Sequence, residues 1–425
     1  MTEIKNNGGS VISVSIGRQP VFDDKRRLWG YELFCVGSAE TTPAGLPEET
    51  GAAVSVASSA YMGLQHIIDR SRKVVVNFNE KALLENLPYA LPPVLTAVQV
   101  TEQVSRRPPV MELLSRFKSD GYLIVIAGFS ADPVCRKLYL LADIFSVEVA
   151  QRTKDELAVV LDGARSFDAL LLASRVADTV RFESCVELGF SLFHGSFFKS
   201  PDKITVRKLS SNEVARFNLL RLIETDEPDV AQLAKAIQTD ASISFRLLAY
   251  LNSAAFGLPR KIQSIPHAIS LLGWQQIKNW LRVVLLADMS QSKEASELIL
   301  LSAQRGKFLE LIAREHDFWG FDPASLHLLG VFSLLDILIG ISMQEVVAHL
   351  PLDPKLKAAL CREPNNEYLP LLQLARYFEE AKWPEADKMM QQLNLDSRKV
   401  KTAFQTSLNW AGELVSLPAA ESEMH

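Results

Sequence analysis

Residues 121–130, GYLIVIAGFS, decide the fold class of the first half of the chain. The apolar run Tyr122 to Ile126 breaks at Ala127-Gly128, and a helix-like segment opens soon after at Asp132-Pro133. A short, unbroken apolar run between turn signals is typical of a buried parallel strand. In a β/α barrel the reactive groups lie where such strands end. Here that position offers no acid, base or metal ligand.

Strand and helix patterns alternate on both sides of this stretch. Apolar runs predict further strands at 73–78, 95–101, 144–149, 168–173 and 190–194. Three- and four-residue apolar spacing predicts helices at 49–70, 110–117, 153–164 and 177–188. This alternation is typical of a parallel sheet covered by helices.

A hairpin precedes the alternating part. A strand begins at Val11, and we expect its regular part to end at Arg18-Gln19-Pro20. A second strand covers Leu28 to Phe34, and the short charged turn between the two makes the pair antiparallel. About eight strands, mostly parallel, predict a TIM-like β/α barrel with an irregular first hairpin. The alternative is an open doubly wound sheet, although no G-x-G-x-x-G motif supports its usual nucleotide binding.

Strand patterns disappear in the second half. The turn-rich segment 203–210 predicts a domain boundary, and helical spacing continues to residue 415. The fold class is therefore α/β followed by all-α. We divide the chain into a flexible N-terminus, a barrel, a helical domain and a tail, at 1–10, 11–205, 206–415 and 416–425. Helices in the last part of the domain are predicted at 274–288, 293–316, 323–339, 342–350, 353–362, 366–382, 385–393 and 396–415.

Composition excludes several classes of protein. The net charge of -5 disfavours a nucleic-acid binder, which would present a basic surface. The four cysteines form no C-x-x-C pair, as expected for free thiols in a reducing compartment. No signal-peptide pattern opens the chain, and the apolar run Leu326 to Ile341 is shorter than the ~20 residues of a membrane span. We therefore expect a cytoplasmic protein with no nucleic-acid or membrane partner.

Six segments in the first half, in order, resemble EAL domains, which are barrel phosphodiesterases for cyclic di-GMP. They are Gly17-Arg18-Gln19-Pro20-Val21-Phe22-Asp23, Gly30-Tyr31-Glu32-Leu33-Phe34, Val76-Asn77-Phe78, Thr101-Glu102, Gly121 to Phe129 and His194-Gly195-Ser196-Phe197-Phe198-Lys199-Ser200-Pro201. The resemblance covers about residues 11–205. It implies a reaction that uses two Mg or Mn ions, which prefer oxygen ligands.

Only part of the implied site is present. Glu32, Asn77 and Glu102 stand where three metal ligands of the family would be. The other positions are replaced: the phosphate-binding arginine by Val36, the aspartate pair by Ala127 and Gly128, and the remaining charged or amide residues by Ser146, Glu148, Ser174, Ala177 and His194. The resemblance thus predicts a degenerate site with no catalytic residue, no metal and no cofactor. The three surviving polar residues are interpreted as polar groups in a solvated barrel mouth.

The second half resembles HDOD domains, which are similar in fold to HD-type metal phosphohydrolases but lack their metal ligands. The resemblance rests on Ala236-Ile237 with Asp240, Leu247 to Ala254, Ile262 to Ile265, Ala268 to Gly273 and Gly330 to Asp336. Leu335-Asp336 occupies the place of the His-Asp pair, so only the aspartate remains. We expect the buried Asp336 carboxylate to make an internal hydrogen bond. His316-Asp317 is interpreted as a helix end.

The order barrel first, helical domain second is that of EAL–HDOD bacterial signalling proteins. This resemblance predicts a non-catalytic regulator that binds protein partners such as a sensor kinase, a cyclase or a motility regulator. The sequence leaves open whether the chain forms a homodimer. Two alternatives remain: a cyclic di-GMP phosphodiesterase or receptor, and a nucleic-acid-linked regulator, which the acidic composition disfavours. Five tryptophans of the helical half are candidate contact residues, although each is also a candidate core residue.

Overall fold

The computed structural model describes a large part of the chain. The described residues are 3–5, 11–13, 15–36, 72–105, 108–199, 216, 218–220, 222–224, 273–289, 294–316, 320–348, 350 and 352–415. The predicted helix at 49–70, the predicted boundary at 203–210 and the predicted tail at 416–425 lie outside them.

Eight strands of the first half close into a barrel. They are β3 (Ser15–Asp23), β4 (Leu28–Val36), β5 (Lys73–Asn77), β6 (Thr96–Thr101), β7 (Leu123–Ala127), β8 (Ile144–Glu148), β9 (Leu170–Val176) and β10 (Leu192–Gly195). Strand β3 is antiparallel to both of its neighbours, β10 and β4, whereas β4 to β10 run parallel to one another. The predicted TIM-like α/β barrel with an irregular first hairpin is confirmed.

Strand β3 differs from the sequence prediction. It continues through Pro20 to Asp23, where we expected its regular part to end at Arg18-Gln19-Pro20. Pro20 pairs with Tyr31 of β4, but the pairing with β10 reaches only as far as Val21. Pro20 therefore lies just beyond the ladder with β10, and the end of a ladder is a place where a strand tolerates proline.

The N-terminal segment also contains structure that composition did not suggest. Strand β1 (Glu3–Lys5) pairs with β2 (Val11–Ser13) in a small antiparallel sheet, although residues 1–10 were predicted to be flexible. Backbone pairing of this kind does not require an apolar pattern, which explains why the pattern missed it.

Helices cover the outside of the barrel. They are α1 (Glu80–Leu84), α2 (Glu102–Ser105), α3 (Pro108–Ser119), α4 (Arg136–Tyr139), α5 (Lys154–Ala164) and α6 (Thr179–Leu188). Helix α5 begins with a capping box between Thr153 and Glu156, and α6 ends at Gly189 in the left-handed conformation. The barrel interior is filled by one apolar cluster, made of Val21, Val75, Ala97, Val125, Ile144, Leu172 and Leu192. It is a packed core.

The described second half is helical. Its longer elements are α7 (Trp274–Met289), α8 (Ala295–Glu315), α9 (Pro323–Phe332), α10 (Leu335–Ile339), α11 (Met343–Ala348), α12 (Pro354–Leu360), α13 (Leu369–Glu379), α14 (Trp383–Gln392) and α15 (Ser397–Val415). Asp322 and Asp353, each followed directly by a proline, cap α9 and α12 with their side chains. Among the described helices, none has both the length and the apolar composition needed to cross a bilayer.

One predicted helix, 323–339, is in fact two. Helix α9 ends at Phe332 and α10 begins at Leu335. At the break, the Ser333 hydroxyl donates to the Gly330 carbonyl at 2.7 Å and accepts from Arg305 at 2.6 Å. The side chain of Ser333 thus competes with the helix for the backbone carbonyl, which shortens the helix.

The chain forms two compact units. The first contains residues 1–200 together with 376–405, and the second contains 201–375 together with 406–425. The domain limits 11–205 and 206–415 remain predictions, but the unit that contains the barrel includes a segment from the far end of the chain.

Candidate functional site

The site lies at the end of the barrel where the parallel strands finish, which we call the barrel mouth. Asn77, Ala127 and Glu148 are the last residues of β5, β7 and β8. Because these strands are parallel, their final residues meet at one end. The predicted family positions on these strands are therefore brought together.

Pairing register decides which side chains face the interior. Val75, a member of the interior cluster, pairs with Glu32, and Glu32 pairs with Gln19. Directly paired residues share a face, and so do residues two apart on one strand. The inward set at the mouth therefore includes Gln19, Glu32, Asn77, Gln99, Thr101, Ala127, Ser146, Glu148, Ser174 and His194.

The Glu32 carboxylate is held by protein neighbours. Gln99 donates from Nε2 to Glu32 Oε1 at 3.1 Å, and His194 Nδ1 lies 3.4 Å from Glu32 Oε2. The other ring nitrogen, His194 Nε2, lies 2.6 Å from Gln19 Oε1. A carbonyl oxygen only accepts, so this nitrogen carries the proton. His194, which replaces a glutamine of the family, connects Glu32 to Gln19.

The Glu102 carboxylate accepts more hydrogen bonds than that of Glu32. Ser130 donates from its backbone N to Oε1 and from its hydroxyl to Oε2, each at 2.8 Å, and the Tyr139 hydroxyl donates to Oε1 at 2.6 Å. Burial raises the pKa of Tyr139 well above its usual range, and the hydrogen bond to Glu102 raises it further. Tyr139 is thus kept as a neutral donor. Glu102 ties the end of β6 to the segment after β7.

The position of the family aspartate pair is occupied by backbone contacts. Gly128 has a φ of +75°, and its N–H donates to the Ser146 carbonyl at 3.0 Å. Phe129, directly after it, is buried and stacks on Phe145 with ring centroids 4.1 Å apart. The chain therefore turns away from the mouth immediately after Ala127.

The other replaced positions do not form a second cluster of ligands. Glu148 is exposed and pairs with Arg175, with Oε1 and Nη1 3.0 Å apart. Ala177 is exposed, and its carbonyl accepts from the Ser196 hydroxyl at 3.2 Å. Ser146 is buried and Ser174 is half-buried, as is Asn77, one of the three surviving positions. Val36 ends β4.

These residues do not fit a pair of Mg or Mn ions. Such ions are usually bridged by carboxylates with free lone pairs. Glu32 and Glu102 already accept from neighbouring donors, and nothing at Ala127 or Gly128 supplies another oxygen. Among the described residues, no three His, Cys, Asp or Glu side chains are arranged to hold a metal ion.

Three residues at the mouth were not selected from the sequence. Glu379, at the end of α13, accepts from Gln19 Nε2 through its backbone carbonyl at 2.9 Å. Its carboxylate pairs with Lys199, with Oε2 and Nζ 3.0 Å apart. We call Gln19, Lys199 and Glu379 the mouth clasp. Gln19 and Lys199 lie inside the family-like segments, but no sequence signal joins them to Glu379, 360 positions from Gln19.

The helical unit holds a separate buried pair. His327 Nδ1 lies 3.1 Å from Glu310 Oε2, and both side chains are almost fully buried. Burial lowers the pKa of His327, so the ring is neutral and donates from Nδ1. Burial by itself would raise the pKa of Glu310. The hydrogen bond from His327 and the charges of Lys307 and Arg314 instead lower it to about 2.

Asp336 behaves only partly as expected. Burial raises the pKa of its carboxyl, while backbone N–H donors act in the opposite direction. Its Oδ1 atom is buried without a hydrogen-bond partner, so the expected internal hydrogen bonding is incomplete. His316 ends α8, with Nδ1 3.2 Å from the Ile312 carbonyl, in line with the prediction of a helix end. Asp317 lies outside the described residues.

The candidate tryptophans are largely enclosed where they are described. Trp280 is buried, and Trp274, Trp383 and Trp410 are half-buried. Trp319 lies outside the described residues. These rings are therefore mainly packing residues, and they do not form an exposed aromatic surface.

Comparison with known proteins supports the two-part organisation. Residues 210–319 match the family model of the HDOD domain. The predicted resemblance to the EAL–HDOD architecture is confirmed. An uncharacterized protein of Bacillus subtilis, YuxH, is 28% identical over 410 residues, covering 95% of this chain and 99% of YuxH. The cyclic di-GMP phosphodiesterase CdgJ of Vibrio cholerae is 27% identical over 403 residues, covering 94% and 92%.

Solved structures similar to this chain include two complexes with cyclic di-GMP. The PaMucR phosphodiesterase matches 43% of this chain and 94% of its own, with 18% identity and a TM-score of 0.37. The EAL domain of Xanthomonas citri FimX matches 43% and 85%, with 15% identity and a TM-score of 0.35.

Proposed function

We propose that this EAL–HDOD chain is a non-catalytic signalling regulator that acts by binding other proteins. One observation carries the proposal: both carboxylates that survive from the EAL ligand set accept hydrogen bonds from donors of the same chain. Ala127 and Gly128 supply no carboxylate to replace the missing pair. Partners of the proposed kind are a sensor kinase, a cyclase or a motility regulator, and self-association is included.

The size of the missing contributions supports an inactive site. Loss of a positioned acid or base alone lowers a rate by ~10²–10⁴. Loss of the metal pair also removes the activated water and the stabilisation of charge on the phosphate. The two losses together leave no useful hydrolysis of a phosphodiester.

A second function has support from one relative. CdgJ, at 27% identity, is named a cyclic di-GMP phosphodiesterase. The alternative for this chain is therefore hydrolysis of cyclic di-GMP, or its binding without turnover.

Calorimetry and a turnover assay separate the two functions. The full chain is titrated with cyclic di-GMP in Mg²⁺ and in Mn²⁺, and linear product is followed by chromatography. We expect neither binding heat at micromolar nucleotide nor product. Binding or product would overturn the non-catalytic proposal.

A restored variant makes the assay sharper. Ala127→Asp with Gly128→Asp returns the missing carboxylates but leaves Glu32 and Glu102 engaged, so we expect it to remain inactive. Turnover by this variant would mean that the rest of the site is intact. Purified candidate partners found by affinity capture are then tested for direct binding to the full chain.

A further inference from the structure

The mouth clasp is a contact between the barrel and a segment distant in sequence. Residues 376–405 lie in the same compact unit as the barrel. Within this segment, Glu379 presents two acceptors to two different barrel elements: its carbonyl to Gln19 of β3, and its carboxylate to Lys199, just after β10. Two directed bonds to one residue fix both its position and its orientation.

The burial of the Lys199–Glu379 ion pair restricts which chemical groups can occupy the place of Glu379. The Glu379 side chain is 4% exposed and the Lys199 side chain is 13% exposed. Removing one member of a buried ion pair leaves the other charge without compensation, which is strongly unfavourable. Any group that replaces Glu379 over Lys199 must therefore carry a negative charge.

An aromatic contact adjoins the clasp. Phe34 of β4 packs against Trp383, the first residue of α14, with ring centroids 5.8 Å apart. Trp383 also meets Phe378 edge-on at 5.6 Å, and Phe378 packs on Phe404 at 5.1 Å. The segment thus covers the mouth with an acidic residue and a nearby indole, backed by its own aromatic cluster.

The clasp is connected to the inner residues of the mouth. Gln19 uses its Nε2 for Glu379 and its Oε1 for His194, and His194 faces Glu32. The Gln19 amide therefore bonds both to the covering segment and to His194, which lies beside Glu32.

We propose that residues 376–405 form an intramolecular cap, and that the surface beneath the cap is a protein-docking surface. In this chain the occupant is the chain's own Glu379 and Trp383. A partner that displaces the cap offers the same chemistry, an acidic side chain beside an aromatic ring. This inference says where on the chain a partner protein binds. It rests on the proposed protein-binding function only for the partner that displaces the cap.

Lysine footprinting of the full chain tests the cap. The protein is acetylated with an amine-reactive reagent, and modification of Lys199 is compared by mass spectrometry with that of Lys25, an exposed lysine of the hairpin. We expect Lys199 to react at least about tenfold more slowly than Lys25, because reaction requires the cap to open. Equal rates would overturn the cap.

Variants of the cap provide the second arm. Glu379→Gln, alone and with Trp383→Ala, should raise the relative rate of Lys199 several-fold. Glu385→Gln is the matched control, since it removes an exposed carboxylate of the same segment and should change nothing. An unchanged Lys199 rate in both cap variants would also overturn the proposal.

Two control measurements accompany the footprinting: the reactivity of buried cysteines and the effect of dilution. Cys135 and Cys185 are buried in the barrel, so their resistance to a thiol reagent shows that a variant remains folded. If the double variant exposes them, the single Glu379→Gln variant decides. Protection of Lys199 that disappears on dilution would show a cap supplied by a second copy, against the intramolecular form. This test does not use the cyclic di-GMP assays described above. The cap and the non-catalytic function can therefore be refuted independently of each other.

Discussion

At the scale of single residues, the buried carboxylates of this chain are defined by their donors. Glu102 accepts from Ser130 and Tyr139, and Glu310 is surrounded by His327, Lys307 and Arg314. Asp336 is the contrasting case, because one of its oxygens has no partner and the pKa of its carboxyl is raised. A buried carboxylate stabilises this fold when hydrogen-bond donors surround it, and it destabilises the fold when one of its oxygens lacks a donor.

The lowered pKa values of Glu310 and His327 predict that the folded chain loses stability in acid. The pKa of Glu310 is about 2 in the folded chain, against an ordinary value of 4.5. The stability that its carboxylate contributes is therefore fully present above pH 4.5 and is lost as the pH falls from 4.5 toward 2. His327 has a lowered pKa, so it too destabilises the folded chain when pH falls below its ordinary value of 6.5. For Glu310 the contribution is roughly 3 kcal/mol.

The measurement is the free energy of unfolding in urea between neutral pH and about pH 3. Glu310→Gln should be less stable than the wild type near neutral pH, and the difference should shrink as pH falls. Glu363→Gln, at an exposed position, is the control and should follow the wild type. A constant difference between wild type and Glu310→Gln across this range would contradict the assignment of Glu310 as the ionised partner.

At the scale of elements, two glycines set the contact between α8 and α9. A Cβ on Gly330 would lie 2.4 Å from the backbone nitrogen of Gly306 and 2.5 Å from its Cα. A Cβ on Gly306 would lie 2.9 Å from the His327 carbonyl oxygen. The two helices therefore touch through their backbones, and this close approach places His327 against Glu310 of α8.

Substitution of Gly330 by alanine should separate these helices. Backbone atoms cannot move aside as a flexible side chain can, so we expect Gly330→Ala to cost about 3 kcal/mol or more. Gly340→Ala is the comparison: its φ is +78° and its surroundings are open, so only backbone strain of about 1 kcal/mol applies. Urea midpoints of the two variants test the ranking. A Gly330→Ala variant as stable as Gly340→Ala would refute the contact.

At the scale of the whole molecule, the compact units do not follow chain order. Residues 376–405 belong to the unit of the barrel, although about 175 residues of the other unit separate them from residue 200. Non-local contacts of this kind are formed late and depend on the intervening chain for closure. A cut at the predicted boundary therefore removes part of the barrel's own unit.

Residues 1–205 alone should be less protected than the same residues in the full chain. We expect faster amide hydrogen exchange in β3 and in 192–199, where the clasp residues lie, because their cover is absent. Peptides from β7 serve as the internal control. Addition of residues 206–415 as a separate chain should restore the protection. Equal exchange of 15–23 in both proteins would show that the barrel does not use the segment.

The sequence by itself determined the barrel, the helical second half and the position of the strand end that lacks the family's aspartate pair. Strand patterns, turn residues and Asp-Pro starts are local signals, and Ala127-Gly128 follows a strand whatever packs around it. The hydrogen-bond partners of Glu32 and Glu102 could not be predicted in this way, because the donors Gln99, Ser130 and Tyr139 are selected by register and packing.

Only the tertiary structure decided that Glu379 lies over Lys199 and Gln19. Contacts across 180 and 360 positions leave no periodic trace in either segment. The same limit applies to the break at Ser333 and to the unpartnered oxygen of Asp336, since each depends on where a neighbouring helix places its side chains. Local patterns fix the elements, and hydrogen-bond partners are fixed when the elements meet.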